Sequence, residues 1–476
     1  MTNVLFVVSE CAPLVKTGGL ADVAGALPGA LKPHGDDVRV LLPGYKSVLS
    51  QVGKGKIVTT IDDLFGGVAK LRACSSAVLD LLVLDAPHLY SRDGGIYVDG
   101  SGEDWPDNAE RFAALCQVAA KIAKNGAGEW KPEIVHGHDW QAGLTPEYLS
   151  AEKCDVPFVF TVHNIAFHGN ADGEKVKTLG LEKTRFNRDG FEFWGQVSAL
   201  KAGLMGAARI NTVSQTYAQE LLTPEFGVGM DGVLRHRQAD LTGIVNGIDE
   251  SVWNPKSDSH IINYFTASGK AANKKALQKE FGLPKASGPL CVMVSRLTEQ
   301  KGIDLLVEAL PELLRHDGQL LVLGSGDPAL EAQLSDAASI HDNVAVKIGY
   351  DEALSHRMIA GGDIILVPSR FEPCGLTQLY GLRYGTLPLV ALTGGLADTV
   401  INASPAALSS GVATGFQFFP INALSLENSI CRMCEFYQDP KIWKKMQRNA
   451  MKQTVGWDQS AAEYHAIYEE LARPAV

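Results

Sequence analysis

Short, nearly unbroken apolar runs recur along the 476-residue chain, separated by longer stretches whose apolar residues keep helical spacing. In the first half the runs are VLFVVS from Val4, VRVLLP from Val38, EIVHGH from Glu133, PFVFTVH from Pro157 and RINTVS from Arg209. In the second half they are LCVMVS from Leu290, QLLVLG from Gln319, NVAVKIG from Asn343, DIILVPS from Asp363 and PLVAL from Pro388. Continuous rather than alternating apolar runs predict strands covered on both faces. Intervening segments such as GIDLLVEALPELLRH, from Gly302, predict helices. Strand–helix alternation implies parallel sheets joined by right-handed crossovers. The pattern restarts. One α/β unit runs from Val4 to about Ile244, and a second begins near Leu290, after the polar stretch Asn254–Gly288. The expected domains are therefore 1–244 and 245–456, with VNGID at 245–249 as a hinge and a helical segment within 457–476 returning to the first domain. Open α/β sheets bind ligands outside the carboxyl ends of their strands. Two doubly wound domains facing each other would place an active site in a cleft between them.

Composition narrows the class. Hydrophobic residues make up 46% and charged residues 20%, as in ordinary globular proteins. A net charge of −11 argues against nucleic acid or an anionic membrane as partner. Eight cysteines are too sparse for a disulfide scaffold. Cys431 and Cys434 form a CxxC inside SLENSICRMCEFY, a helical pattern with no further ligand at suitable spacing, so no metal is expected there. The apolar run at Val4–Val8 is short and meets Glu10 at once, unlike a signal peptide. Thr399–Leu426 is uncharged, but Gly, Pro, Ser and Gln interrupt it, so it does not read as a membrane span. The expectation is a cytoplasmic enzyme.

Candidate chemistry clusters where predicted strands end. After the first run, Lys16-Thr17-Gly18-Gly19 leads into a helix carrying Asp22; paired glycines admit close approach of an anion to backbone N–H groups, and Lys16 adds positive potential. Gly324-Ser325-Gly326-Asp327-Pro328-Ala329 matches G-x-G-x-x-A, which alone suggests either a dinucleotide site or a tight structural turn. Ser295–Gly302 places Arg296 and Lys301 on one βα loop, an arrangement suited to a diphosphate. In Ser369–Thr377, Glu372 can bind sugar hydroxyls, and the N–H groups of Cys374, Gly375, Leu376 and Thr377 can meet a phosphate. His138-Asp139-Trp140 and His163-Asn164 end two further runs, offering hydrogen bonds and an aromatic wall of the kind carbohydrate sites need.

Together KTGGLADV, HDW, TVHN, VNGID, SRLTEQKG, PSRFEPCGLTQLYGLRYGTLPLV and TGGLADTV resemble the bacterial glycogen synthases and plant starch synthases, in family order along nearly the whole chain. The resemblance implies the GT-B architecture, two Rossmann-like doubly wound domains facing across a deep cleft. It implies transfer of glucose from ADP-glucose to the non-reducing end of an α-1,4-glucan with retained configuration. No cofactor or metal is expected, because the sequence contains no Asp-x-Asp and Lys16, Arg296 and Lys301 can neutralise a diphosphate. Carried over by motif, Lys16, Arg296 and Lys301 contact the donor, Asp139 and His163 lie near the transferred glucose, and Glu372 is the catalytic-segment carboxylate. Tyr350 matches the aromatic beside the adenine; Asn164, Asn246 and Asp22 are further candidates. Many related GT-B enzymes carry a second glutamate eight positions after the first, where this chain has Tyr380, a departure shared by this branch.

Overall fold

The computed structural model describes residues 1–76 and 79–472; the last four residues of the expected returning segment, 473–476, lie outside it. The chain divides into two compact units, Met1–Asn246 with Trp457–Val476, and Gly247–Gly456.

Unit 1 contains strands β1 (Thr2–Val7), β2 (Asp36–Pro43), β3 (Lys56–Ile61), β4 (Ala69–Ser75), β5 (Asp80–Asp85), β6 (Ile134–His138), β7 (Phe158–Val162), β8 (Asn170–Asp172), β9 (Glu192–Phe193), β10 (Gln196–Ser198), β11 (Arg209–Thr212) and β12 (Leu241–Gly243). Among the described residues its main sheet has the order β12-β11-β7-β6-β1-β2-β5-β4-β3. All neighbours from β12 to β5 are parallel, whereas β4 runs antiparallel to both β5 and β3. Winding proceeds outward from β1 through β2, then restarts on its other side at β6, so the topological switch point lies between β1 and β6. β6 and β7 are buried along their whole length, which is why β7 (FVFTV) runs almost wholly apolar without alternation, while β6 (IVHGH) buries His136 and His138. The helix Asp458–Ala472 belongs to this unit: Ala461, Tyr464 and Tyr468 are fully buried in its core.

Unit 2 contains β13 (Leu290–Val294), β14 (Gln319–Gly324), β15 (Val344–Ile348), β16 (Ile364–Val367), β17 (Leu387–Ala391) and β18 (Phe416–Phe418), an all-parallel sheet ordered β15-β14-β13-β16-β17-β18. Its switch point lies between β13 and β16. Helices such as Ile303–Arg315, the predicted GIDLLVEALPELLRH segment, cover the faces. Among the described residues no helix is long and apolar enough to cross a membrane.

Candidate active site

The chemistry-bearing loops gather at these switch points. In unit 1 the loop after β1 is organised by Glu10, a carboxylate only 4% exposed. It accepts hydrogen bonds from the Thr17 amide (2.5 Å), the Thr17 hydroxyl (3.0 Å), the Gly18 amide (3.1 Å) and the Tyr97 hydroxyl (3.2 Å). Lys16 Nζ lies 2.7 Å from Asp22 Oδ1, so the loop lysine is tethered to the first turn of helix Gly19–Leu31. Gly18 has an extended φ of −151°, and a Cβ built on Gly18 or Gly19 would meet nothing within 4 Å. Neither backbone conformation nor packing inside the chain calls for glycine here; the small residue leaves room for something outside it.

After β6 and β7 the two turns are laced together by Asp139, whose φ is +56°. Its Oδ1 accepts the amides of His163 (2.7 Å) and Asn164 (3.3 Å), while its own amide donates to Thr161 O (2.9 Å). Burial pushes the Asp139 carboxyl up to about 7, against the two backbone donors and with help from the Glu10 charge. Beneath it His136, His138 and His163 stack in sequence, with ring centroids 4.2 and 5.3 Å apart. Burial lowers all three imidazoles, His136 and His163 to about 3, so they are neutral at physiological pH.

Proton bookkeeping then assigns the tautomers. Thr161 Oγ1 donates to Asn211, so it accepts from His136 Nε2 at 2.6 Å, and the Tyr468 hydroxyl donates to His136 Nδ1 at 2.7 Å. His138 Nδ1 lies 3.0 Å from His163 Nε2, and His138 Nε2 is buried without a partner. An orphaned buried N–H costs more than a bare lone pair, so Nδ1 of His138 carries the proton and donates. His163 consequently bears its proton on Nδ1, on a ring that is partly exposed. Trp140 packs edge-on against Phe112 at 5.0 Å, beneath Gly169. Asn164 Oδ1 accepts the Ala166 amide at 3.0 Å, and Asn246, the last residue of the unit's first segment, is buried with no partner for its Oδ1.

In unit 2 the loops after β13 and β16 form one structure. Lys301 Nζ lies 2.5 Å from Glu372 Oε2, which also accepts the Ser369 hydroxyl at 3.0 Å; Glu372 is 7% exposed. Arg370 grips Asp304 with two bonds of 2.7 and 2.6 Å, and its amide donates to Gln300 O. The approach is so close that a Cβ on Gly302, whose φ is +68°, would lie 2.1 Å from Pro368 O. Arg296 is exposed and makes no ion pair among the described residues. Cys374 is buried, Gly375 has φ +74°, and helix Thr377–Tyr384 begins after Leu376 with no side-chain cap, leaving its first amides without one. Gln378 Nε2 fixes this turn through Cys374 O and Gly375 O, and the Gly395 amide donates to Glu372 O at 3.1 Å. Tyr350, 78% exposed after β15, donates to the Glu352 carboxylate.

Three further features acquire a definite setting in the structure. The G-x-G-x-x-A turn is shaped by packing: Cβ atoms on Gly324 and Gly326 would lie 1.9 Å from Ser295 O and 2.3 Å from Leu297 O, so the glycines let it press against the Arg296 loop. The CxxC stretch has nearby ligands after all. Helix packing brings Glu312 and His316 beside Cys431, the one group of three potential metal ligands found among the described residues, although Glu312 already pairs with Arg315 and His316. Tyr380 is a core residue, stacked on Trp253 at 3.7 Å. Glu10 and Tyr97 are participants that motif reading did not select, while His138 and Ser369 lie inside motifs it quoted but received no role of their own. Glu10 carried a signal, a lone acid directly after an apolar run; the Tyr97 contact spans 87 residues of chain and carried none.

Residues 3–236 match the family model described as the starch synthase catalytic domain, and residues 274–453 match glycosyl transferases group 1. The chain is 66% identical to a glycogen synthase of Jannaschia sp. (strain CCS1), across 99% of this chain and 100% of that one. It is 59% identical to a glycogen synthase of Paracoccus denitrificans (strain Pd 1222) over the same shares. Among solved structures, the catalytic domain of starch synthase IV from Arabidopsis thaliana, bound to ADP and acarbose, superposes with a TM-score of 0.88 at 29% identity, covering 99% of both chains. A sucrose-phosphate synthase from Thermosynechococcus elongatus shares the fold, with a TM-score of 0.60 at 18% identity and 99% coverage of both. With both sheets carrying their loops at the switch points and relatives matched end to end, the chain belongs to the glycogen and starch synthase family of retaining GT-B glucosyltransferases.

Proposed function

We propose that this chain lengthens an α-1,4-glucan, moving glucose from ADP-glucose to the non-reducing end in the cytoplasm, with neither a nucleic acid nor a membrane as partner. The observation that carries the reading is a division of equipment. Arg296, Lys301 and the N-terminus of helix Thr377–Tyr384, which has no side-chain cap, cluster at the switch point of unit 2, and the neutral histidines cluster beside the Lys16 loop at that of unit 1. Arg296, Lys301 and Lys16 neutralise the diphosphate, aided by the amides of Cys374, Gly375, Leu376 and Thr377. Gly18 and Gly19 admit the donor to the Lys16 loop. Glu372 binds sugar hydroxyls while holding Lys301 in place. His163, presenting Nδ1–H, and Asn164 bind the glucose, with Trp140 walling that side. Asp139 fixes both their turns and stabilises positive charge on the sugar. Tyr350 stacks on the adenine, and Asn246 and Asp22 play supporting parts.

As the glucosyl bond breaks, negative charge grows on the leaving oxygen and is met by fixed cations. The glucan hydroxyl attacks from the face that the diphosphate leaves, which retains configuration, and the departing phosphate accepts its proton. The choice of ADP-glucose is supported by the ADP bound to the Arabidopsis relative. Diphosphate release measured with glycogen and either ADP-glucose or UDP-glucose tests the reading. We expect kcat/KM to favour ADP-glucose about tenfold or more, a difference of ~1.4 kcal/mol; an equal preference for UDP-glucose overturns the donor assignment, and no release with either overturns the function.

A further inference from the structure

At the far end of helix Ile303–Arg315 from the Lys301 loop lies a group of side chains that glucosyl transfer does not use. Glu312 sits in the last turn of that helix and is 9% exposed, and His316 is the residue on which the helix stops. A helix C-terminus carries partial negative charge, so a buried carboxylate is poorly placed there and a cation is well placed. The partners Glu312 has are weak ones. Arg315 pairs with it from a side chain that is 73% exposed, a contact worth little because water competes for it. His316 Nε2 donates to Glu312 Oε1 at 3.0 Å, so a proton now lies between two atoms that both bind metals well.

The neighbouring helix Ala423–Tyr437 brings a thiol to the same place. A carboxylate oxygen of Glu312, a ring nitrogen of His316 and Cys431 Sγ all lie within 4.8 Å of one another. A tetrahedral ion with bonds of about 2.0–2.3 Å holds its ligand atoms roughly 3.3–3.8 Å apart. Movements of about an ångström in partly exposed side chains therefore close the group on one ion. Glu435, one helical turn beyond Cys431, places Oε1 4.0 Å from Sγ and supplies a fourth ligand. Each helix thus offers a pair at i and i+4, the spacing that puts two side chains on one face. Cys434, the other half of the CxxC, is 2% exposed within the core and takes no part.

We propose that Glu312, His316, Cys431 and Glu435 form a zinc site that staples helix Ile303–Arg315 to helix Ala423–Tyr437. The donor set selects the metal, because thiolate and imidazole favour Zn2+ over the oxygen-seeking Mg2+ and Ca2+. On binding, the Cys431 thiol gives its proton to solvent, His316 carries its ring proton on Nδ1 so that Nε2 faces the ion, and Arg315 turns out into water. The role is structural. The helix is about 20 Å long and Lys301 precedes its first turn, so the ion stands far from the diphosphate loop and leaves the transfer reaction free of metal.

Titration of the EDTA-stripped full-length chain with Co2+ tests this, since a tetrahedral Co2+–thiolate complex absorbs in both the near ultraviolet and the red. Wild type should show both bands, reach its end point at a single ion per chain, and lose the bands when Zn2+ displaces Co2+. Cys431→Ser should abolish the near-ultraviolet band. His316→Gln should keep that band but weaken binding by at least the roughly 10–100-fold that loss of a mere supporting contact costs. Both positions are partly exposed, so the variants should fold, and their thermal midpoints in EDTA should match wild type. Cys154→Ser, which removes a partly exposed thiol of unit 1, should bind as wild type does. Zn2+ at roughly a hundredfold above its Kd should raise the wild-type midpoint by about 5–10 °C and that of Cys431→Ser by far less, with kcat unaltered throughout. Absence of the thiolate band in wild type overturns the site, as do a band and a midpoint shift that survive both Cys431→Ser and His316→Gln. A fall in wild-type kcat on stripping the metal overturns its structural role.

Discussion

Unit 1 keeps its buried histidines neutral, whereas unit 2 holds one charged. His136, His138 and His163 share a stack where each nitrogen is met by a hydroxyl, another imidazole or nothing, and burial holds all three below their ordinary range. In unit 2, His356 lies between Trp253, stacked at 3.8 Å, and Asp258, whose Oδ2 is 2.7 Å from its Nδ1. Burial works against the charge there too, but hydrogen bonds to the Asp258 and Glu352 carboxylates outweigh it and carry His356 up to about 9. The active loops follow the same division, with Lys301, Glu372 and Arg296 in unit 2 and the neutral histidine end with Asp139 in unit 1. A desolvated imidazole is a directional hydrogen-bond partner for an uncharged sugar, and a cation anchored by a buried carboxylate is a preorganised partner for a diphosphate.

The sharpest way to break this contrast is to remove the cations. Arg296 makes no ion pair among the described residues, so Arg296→Ala should leave the thermal midpoint unaltered while lowering kcat about 10–150-fold, the loss of one charge-assisted bond of ~1.5–3 kcal/mol. Lys301→Ala should fall at the upper end or beyond, because it also strands the buried Glu372 with Ser369 as its remaining side-chain donor. Arg296→Lys should recover only part, lacking the bidentate fork. Steady-state kinetics on folded variants decide the matter; wild-type kcat in both alanine variants would remove the phosphate role from this loop.

Asp139, beside the neutral histidines of unit 1, sharpens the contrast by pH. With its carboxyl raised to about 7, the charged form becomes dominant only above neutrality. If that charge stabilises the developing glucosyl cation, kcat rises with pH through about 7. Asp139→Asn keeps an Oδ1 to accept the His163 and Asn164 amides but cannot ionise, so its kcat should be roughly 10–100-fold lower at pH 8 and should lose this acid limb. Because ionisation is disfavoured in the fold, the wild-type carboxyl lowers stability as pH rises from about 4 through 7, so the variant should gain relative stability above pH 7. An unaltered pH–rate profile would reduce Asp139 to a hydrogen-bond acceptor.

The buried histidines make stability depend on pH in opposite directions in the two units, with Asp139 opposing them inside unit 1. The unit 1 histidines have depressed folded pKa values, so their contribution is present above about 6.5 and is lost as pH falls toward 3. By pH 5 His136 and His163 each cost about 2 kcal/mol relative to neutral pH. His356 is raised, so its contribution is present below about 6.5 and is lost as pH rises through about 9. Lys270, buried against Ile359 O, Ala360 O and Thr386 and lowered to about 7, gives unit 2 a gain in stability over much of that range and partly masks the trend. The clean measurement is therefore a difference. His356→Gln should destabilise by about 3 kcal/mol at pH 6 and by much less at pH 9.5, read as the shift in urea midpoint. For unit 1, hydrogen exchange of peptides spanning β6 and β7 should accelerate between pH 6 and pH 5 beyond the intrinsic rate change.

Local and contiguous features were legible in the sequence, and long-range ones were not. Both central sheets could be read because strands buried on both faces must be apolar throughout, as in FVFTV and LLVLG. Site loops could be read because parallel sheets place function after strand ends, and Lys16, Asp139, His163, Arg296 and Glu372 all follow an apolar run. The histidine relay could not. His136 sits 25 residues from Thr161 and 332 from Tyr468, and no pattern within one segment signals that those hydroxyls will meet one imidazole. The Glu312–His316–Cys431 grouping was likewise invisible, since two helices far apart in sequence create it. The GxGxxA turn stayed ambiguous in sequence for the converse reason: glycine there answers a backbone neighbour 1.9 Å from the Cβ position, a demand that reads like a phosphate site.

That ambiguity makes Gly19 a test in which the expected effect is small but the sign is informative. Gly324 and Gly326 in unit 2 are required by the chain's own backbone, whereas Gly19 in unit 1 has open space around its Cβ position. Gly19 opens the helix Gly19–Leu31, where alanine is intrinsically favoured over glycine. If the fold alone decided this position, Gly19→Ala would stabilise the protein by a few tenths of a kcal/mol and leave catalysis alone. If the room is kept for the donor, the same variant should show that small gain in thermal midpoint together with a rise in donor KM of about two- to tenfold, the loss of roughly one backbone hydrogen bond. Gly324→Ala is the control in the opposite sense: its Cβ collides with Ser295 O, so it should lose stability and disturb the Arg296 loop. A Gly19→Ala protein that loses more than ~1 kcal/mol of stability would show that the fold needs this glycine. One that keeps its donor KM would show that the donor does not approach the Lys16 loop closely.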